Sequence, residues 1–534
     1  MRLTLSLIGF SVFLAVVMQV PQWRHMHHED ARGVLVSLNS DESIYLARVQ
    51  ESLSDRPELS AEAFMGHDSV EGSQFALIER VYGNMFRLTG WNASEVFRLM
   101  DSVVPVLLFL SIFFFLRLCG FRKDIAFGGA ALFCLVQLYN LSRPIHMRAS
   151  FFLMLWSLIG ITAAYHKKWW GVALGGVMLG LLVAVYVWSF MFAWAFWGAL
   201  FLIALLQFWR KKGLESWHFL LLTGLVGLVA AVPAVIQYMN LLSHPLYEYA
   251  QFRSGIHPSR MPESLVYSGL FLVMLVGLGM TYRTHASTLK RFTPVLALVI
   301  AAVVYMNQQV VHGQTFNFVS HGIFSLMLAA VSVALLGLIF RPKWLLLSIA
   351  AAGVYIAAIS YDGRYLLNQW SVDDSSLADQ HLSELFSELE GMRRTRIMTD
   401  PHTSALIAGF TKHDVVYSVY LKNVLLTHKE IALRFCLTQL PLRPEQRHIE
   451  DQQHLIYPDA VSAFKGSVRE EEVALVQAAC TELDLEPSLG LGVFEASHIV
   501  WNKAEQPEWN MRRLRTKLKL VSETDTWALY QISE

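Results

Sequence analysis

The sequence predicts a polytopic α-helical membrane protein with about eleven transmembrane helices and a C-terminal extracytoplasmic α/β domain. Three observations predict it. Of the 534 residues, 54% are hydrophobic and only 16% charged, with a mean hydropathy of +0.40; a soluble domain carries about 25% charged residues. Apolar runs close to the roughly twenty residues needed to cross hydrocarbon recur down the chain. The cations between those runs alternate from plentiful to sparse, as the positive-inside rule requires. The formal net charge is zero, so no bulk attraction to nucleic acid is implied.

The runs fall at 3–20, 101–119, 124–141, 149–165, 170–187, 189–208, 217–237, 264–281, 291–308, 322–340 and 344–360. The first is read as a retained helix rather than a cleaved signal peptide. It ends in Gln19-Val20-Pro21-Gln22-Trp23, without a small-x-small cleavage site. The 170–208 block reads as a tight hairpin with Tyr186 and Trp188 near its tip.

With a cytoplasmic N-terminus, the inner loops carry Arg117, Arg122, Lys123, Lys167, Lys168, Arg210, Lys211, Lys212, Arg283, Lys290, Arg291, Arg341 and Lys343. The short outer loops carry Arg143, Arg148, Arg253 and Arg260. This thirteen-to-four bias places the long first loop (21–100) and everything after 360 outside the cytoplasm. The expected location is the plasma (inner) membrane, divided into a membrane domain over 1–360 and a soluble domain over 361–534.

The first loop is amphipathic. Ile44, Leu46 and Val49, then Phe75, Leu77, Ile78, Val81, Tyr82 and Phe86, recur at helical spacing. Such helices are expected along the membrane interface with the apolar side towards lipid. The loop opens with Asn39-Ser40-Asp41-Glu42-Ser43-Ile44-Tyr45, an adjacent carboxylate pair beyond the first span. A turn-rich acidic segment with His67, Asp68 and Glu71 follows, either completing a metal site with Asp41 and Glu42 or simply solvated.

After residue 360 the composition turns soluble. Strand-like runs at 395–398, 415–419, 454–457, 493–500 and 526–532 alternate with helical runs at 377–389, 429–437 and 470–483. Cys436 and Cys480 lie here, as a disulfide pair in an oxidising compartment or as two separate buried thiols. The chain carries no P-loop, no Gly-x-Gly-x-x-Gly and no Cys/His zinc spacing.

The topology brings polar groups to one outer level. Arg143, His146 and Arg148 lie between the third and fourth runs, and Arg253 and Arg260 between the seventh and eighth. Gln308, His312 and His321 flank the ninth and tenth. Arginine's planar fork suits a phosphate or pyrophosphate bidentately, although a single interfacial arginine also serves as a lipid headgroup contact. Tyr186 and Trp188 are either substrate contacts or belt anchors.

The Asp41-Glu42 pair with Tyr45, Arg143-Pro144 after the third run, the Tyr186-Val187-Trp188 hairpin and the 307–321 segment together resemble the GT-C superfamily of membrane glycosyltransferases. That superfamily includes oligosaccharyltransferase catalytic subunits and protein O-mannosyltransferases. The resemblance implies a cell-envelope enzyme of glycan biosynthesis that moves a sugar from a polyprenyl-phosphate or -pyrophosphate donor to a glycan, lipid or protein acceptor. It implies Asp41 as base or metal ligand and Glu42 as its partner. Arg143, Arg148 or Arg253 would be the phosphate clamp, and a divalent metal (Mg or Mn) the one cofactor. One departure limits the acceptor: the Trp-Trp pair, Trp169-Trp170, is followed by Gly171 on the cytoplasmic side, so the acceptor motif of oligosaccharyltransferases is missing. Competing readings are a lipid-linked glycan polymerase or ligase, a flippase or transporter, and a non-catalytic scaffold. A transporter usually buries ionisable residues at mid-membrane, and the runs hold few.

Overall fold

The computed structural model describes residues 2–36, 42–54, 75–142, 145–210, 216–253, 256–262, 264–316, 319–340, 342–362, 372, 377–419, 421, 424–447, 449 and 467–533. Helices dominate. They are α1 (Arg2–Met26), α2 (Glu42–Leu53), α3 (Leu77–Phe86), α4 (Ala93–Leu118), α5 (Lys123–Val136), α6 (Leu138–Leu141), α7 (Ile145–Tyr165) and α8 (Trp169–Leu181). These are followed by α9 (Val187–Trp209), α10 (Ser216–Leu242), α11 (Tyr247–Arg253), α12 (Leu265–Thr284), α13 (Ala286–Leu289), α14 (Thr293–His312), α15 (Ile323–Gly337) and α16 (Lys343–Asp362). Two short strands, β1 (Ile256–Pro258) and β2 (Gln314–Phe316), interrupt the series.

Among the described residues eight helices are long and apolar enough to cross a membrane: α1, α4, α7, α9, α10, α12, α14 with its preceding turn, and α16. Three of the expected runs form shorter elements. Residues 124–141 divide into α5 and α6 at Gln137, 170–187 ends its α-helix at Leu181, and 322–340 gives the fifteen-residue α15. Apolar length marks the run, but where a helix stops depends on local packing and caps.

The chain divides into two compact units. One comprises Met1–Trp23, Arg98–Asn240 and Pro258–Ser371; the other comprises Arg24–Phe97, Leu241–His257 and Val372–Glu534.

In the first unit α7 and α8 pack closely because glycines face each other. A Cβ on Gly160 would collide with the backbone of Gly175, and one on Gly171 would come within 2.6 Å of the Ala164 nitrogen. Small residues at a helix crossing let backbones approach inside a membrane, where no hydrophobic effect drives helices together. Asp101 on α4 and Arg148 on α7 form an ion pair, both side chains being buried.

The second unit holds a five-stranded sheet of order β4-β3-β5-β7-β6, with β3 (Arg396–Met398), β4 (Asp414–Val415), β5 (His498–Asn502), β6 (Lys517–Glu523) and β7 (Trp527–Ser533). β3 runs parallel to β4 and β5, whereas β7 runs antiparallel to β5 and β6. The parallel strands are short and apolar (Ile397, Met398 and Val415 are buried), as strands covered on both faces require. Helices Pro401–Phe410, His428–Gln439 and Ser467–Leu485 accompany the sheet. Asp400 caps the first by accepting from the His402 and Thr403 nitrogens. Cys436 and Cys480 are joined in a disulfide, Cα–Cα 5.0 Å, so of the two readings left open by the sequence the bonded one holds.

The first loop belongs to this core. Val34, Ile44 and Ala47 pack in one cluster with Leu385, Ile397, Leu406, Val415 and Phe435. The apolar side of α2 is therefore covered by protein, not by lipid as its periodicity alone suggested. Periodicity shows that a face is buried and is silent about what buries it. Leu46 lies against Gly409, where a Cβ would come within 2.8 Å of its side chain.

Candidate functional site

Three of the sequence candidates meet in the first unit. Tyr186 ends the turn between α8 and α9 in an extended conformation, Trp188 lies on the first turn of α9, and His321 lies in the 3₁₀ turn Val319–Gly322 ahead of α15. The Tyr186 hydroxyl and His321 Nδ1 are hydrogen-bonded. Their rings stack with centroids 5.8 Å apart at 20°. Trp188 stands edge-on to His321, 6.1 Å away at 88°.

Tyr305 of α14, which sequence reasoning missed, completes the wall. Its ring is edge-on to Trp188 at 6.2 Å and to Phe192 at 6.2 Å. It lies so close over Gly322 that a Cβ there would collide with the phenol. The sequence signal was present, since Tyr305 interrupts an aliphatic run two residues before Asn307. Its burial hid it among the core positions. Ser150 on α7 and Ser189 on α9 share a buried 2.9 Å hydrogen bond beneath the Trp188 turn. The cluster offers flat aromatic faces for a sugar ring or isoprenoid, and an imidazole oriented by a phenol that can give or take a proton.

The described candidate arginines, Arg148, Arg253 and Arg260, are engaged with protein. Arg148, buried at the start of α7, pairs with Asp101 and donates to the Leu141 carbonyl at 3.3 Å. Asp101 also escaped the sequence reading; its signal was an acid at the start of one run opposite a base at the start of another. Arg253 closes α11 and is fully buried in the second unit. It donates to the carbonyls of Leu426 at 2.8 Å and Val424 at 2.5 Å. Burial and the adjacent Arg253 charge press the His428 pKa down to about 4. Arg260 is exposed and caps the end of α14 through the Val310 and Val311 carbonyls at 2.7 and 3.2 Å. Gln308 Oε1 and His312 Nε2 are 3.2 Å apart on the last turn of α14. Arg143, Asp41 and Asp68 lie outside the described residues, as does the side chain of His146.

The carboxylate pair leads into the second unit. Glu42 is the first residue of α2 and is only 3% exposed. A helix N-terminus stabilises a carboxylate through its free amides and dipole. Tyr45, one turn on, is half-buried against the core. Below them Arg48 pairs with Glu79 of α3 (Nε–Oε1 2.8 Å), both buried, and also donates to the Phe75 carbonyl at 3.1 Å. Among the described residues no group of three His, Cys, Asp or Glu side chains is placed to hold a metal ion.

No protein-family model and no curated protein matches the chain. Solved structures do. ArnT from Cupriavidus metallidurans bound to undecaprenyl phosphate is similar over 99% of this chain and 98% of its own, at 11% identity and a TM-score of 0.45. The apo oligosaccharyltransferase of Archaeoglobus fulgidus is similar over 99% of this chain and 75% of its own, at 12% identity and a TM-score of 0.43. The mycobacterial arabinofuranosyltransferase AftD is similar over 98% of this chain and 40% of its own, at 12% identity and a TM-score of 0.41. At these values the similarity assigns no residue a role, and the functional reading rests on the residues themselves.

Proposed function

We propose that this chain is a GT-C-type glycosyltransferase that moves a sugar from a polyprenyl-phosphate or -pyrophosphate donor to an acceptor on the external membrane face. The observation that carries the proposal is Glu42. This carboxylate adjoins Asp41 in sequence and is buried at the N-terminus of α2, where free amides and the helix dipole favour the charged form, whereas an ordinary solvated helix start leaves its acids exposed.

In the proposed reaction the acceptor heteroatom attacks the anomeric carbon. The bond from that carbon to the phosphate oxygen breaks, and the lipid phosphate leaves with the electron pair. Asp41 takes the acceptor proton, and Glu42 holds Asp41 and the acceptor in line. Within the first unit, Tyr186, Trp188, Tyr305 and His321 are the candidate contacts to a lipid-linked sugar. Arg143 is the arginine to which the clamp role attaches, since Arg148 and Arg253 are committed to Asp101 and to backbone carbonyls.

The same reading keeps eleven spans, with the three shorter apolar segments completing the bundle. It keeps domains over 1–360 and 361–534, an N-terminus in the cytoplasm and the inner membrane as location. The Cys436–Cys480 disulfide supports an oxidising, extracytoplasmic setting for the tail. The buried Asp101–Arg148 pair favours a second reading as a transporter, because ionisable pairs inside spans mark substrate paths.

The two readings part in one experiment. Purified protein is incubated with a panel of polyprenyl-phosphate sugars, with and without Mg or Mn. Release of free polyprenyl phosphate together with a glycosylated product supports the transferase. Donor movement across a vesicle bilayer with no bond cleavage favours the transporter.

A further inference from the structure

β6 is the last strand of its sheet. β7 pairs with one side of it, and among the described residues nothing pairs with the other. Every second residue of such a strand turns its N–H and C=O outward, and a free edge of that kind accepts a further strand. From Lys517 to Leu520 the pairing with β7 is regular, and the register shifts between Leu520 and Ser522, so Lys517–Leu520 is the straight part of the edge. Side chains alternate along it. Lys517 and Lys519 are exposed on one face; Leu518 and Leu520 share the other, where Leu518 packs on the core and Leu520 is 47% exposed. Opposite the lysines on β7 stand Ser533 and Gln531, which carry no charge. Arg512 and Arg515, just ahead of the strand, are exposed as well. Glu523, at the far end of β6, bonds Lys503 instead, and none of the four cations is in an ion pair with a described residue.

Lysines on an edge strand repel a second copy of the same strand. The same charges favour a strand of opposite sign, because oppositely charged side chains that face each other across paired strands attract. The alternation also sets the pattern of that strand: acids opposite Lys517 and Lys519, apolar side chains beside Leu518 and Leu520. We infer that the outer edge of β6 is a docking strand for an extended acidic segment of a partner polypeptide. The segment adds to the five-stranded sheet through main-chain hydrogen bonds, its acids meet Lys517 and Lys519, and Arg512 and Arg515 meet the acids that lie beyond them. The inference concerns the second unit alone and stands apart from the transferase reading.

The test uses the full chain in detergent and three short fluorescent peptides. The first alternates glutamate with valine, the second has the same sequence with N-methylated amides, and the third has lysine in place of each glutamate. The first should bind, more weakly as salt rises, and should slow hydrogen exchange at the outward amides of 517–520. The second keeps the charge but loses main-chain bonds, so it should bind more weakly by about tenfold or more. The third should not bind. Lys517→Glu/Lys519→Glu should weaken binding of the first peptide and create binding of the third. If that variant melts unlike wild type, Lys517→Gln/Lys519→Gln should still bind the first peptide more weakly than wild type does. Equal binding of the first and second peptides overturns the inference and leaves a surface for anions of any shape. So does failure of the first to bind. Outward amides of 517–520 that are protected before any peptide is added overturn it too, because the chain itself would then cover the edge.

Discussion

Arg48 and Glu79 show how much of a single residue's role depends on its partner. Each alone would be an unsolvated charge in the second unit; together, at 2.8 Å, they join α2 to α3 and hold the turn of α2 that follows Glu42. Removing one member of a buried pair costs about 3–5 kcal/mol, because the other charge remains buried, whereas replacing both by apolar groups costs far less. Arg48→Met should therefore lower the melting temperature sharply, and Arg48→Met/Glu79→Leu should recover most of the loss; equal destabilisation by the two variants would contradict the pairing account. At this scale the sequence offered Asp41, Glu42, Tyr186, Trp188, His321 and the outer-loop arginines as candidates, and left the partners of the arginines open. Residue type says that a guanidinium wants oxygens. It cannot distinguish a lipid phosphate from the Val424 and Leu426 carbonyls that Arg253 meets.

Between elements, the clearest electrostatic tie is in the tail. His402, on the first turn of the helix Pro401–Phe410, meets Asp379 of the 3₁₀ turn Ala378–Leu382 at 2.7 Å. The hydrogen bond to Asp379 raises its pKa from the ordinary 6.5 to about 9. The folded state thus binds the proton more tightly than the unfolded chain. The stabilisation is fully present below pH 6.5 and is lost as pH rises through 9. Wild-type melting temperature should fall across that window, and in His402→Gln the fall should be absent; an unchanged slope in the variant would dissolve the tie. Elements were the most legible level where apolar length defines them, as in α4, α9, α10 and α12. The legibility ended at α2, whose period revealed a covered face but not that Leu406 and Ile407 of the tail share its core. Contacts that far apart in sequence leave no local pattern.

At the scale of the whole molecule, one cross-link and one orientation carry the cellular account. The Cys436–Cys480 bond closes a loop of sequence separation 44, which by loop-closure entropy stabilises the second unit by about 4 kcal/mol. Reductant should lower its unfolding temperature and leave the helical signal of the spans in place; indifference to reductant would remove the tail's argument for an oxidising compartment. Orientation has its own test. A cysteine at an exposed position after residue 377 should react with an impermeant thiol reagent in intact cells, and one beside Lys211 should not; the reverse would put the carboxylate pair on the cytoplasmic side. The central claim is that the pair performs chemistry, and turnover of Asp41→Asn tests it most directly. The substitution changes almost no volume and keeps hydrogen bonding, but removes the proton acceptor. On a donor that wild type uses, the variant should insert and melt like wild type while turnover falls by about 10²-fold or more, with Glu42→Gln losing less. Wild-type turnover in Asp41→Asn would contradict the account and leave Asp41-Glu42 as the start of a helix and nothing more.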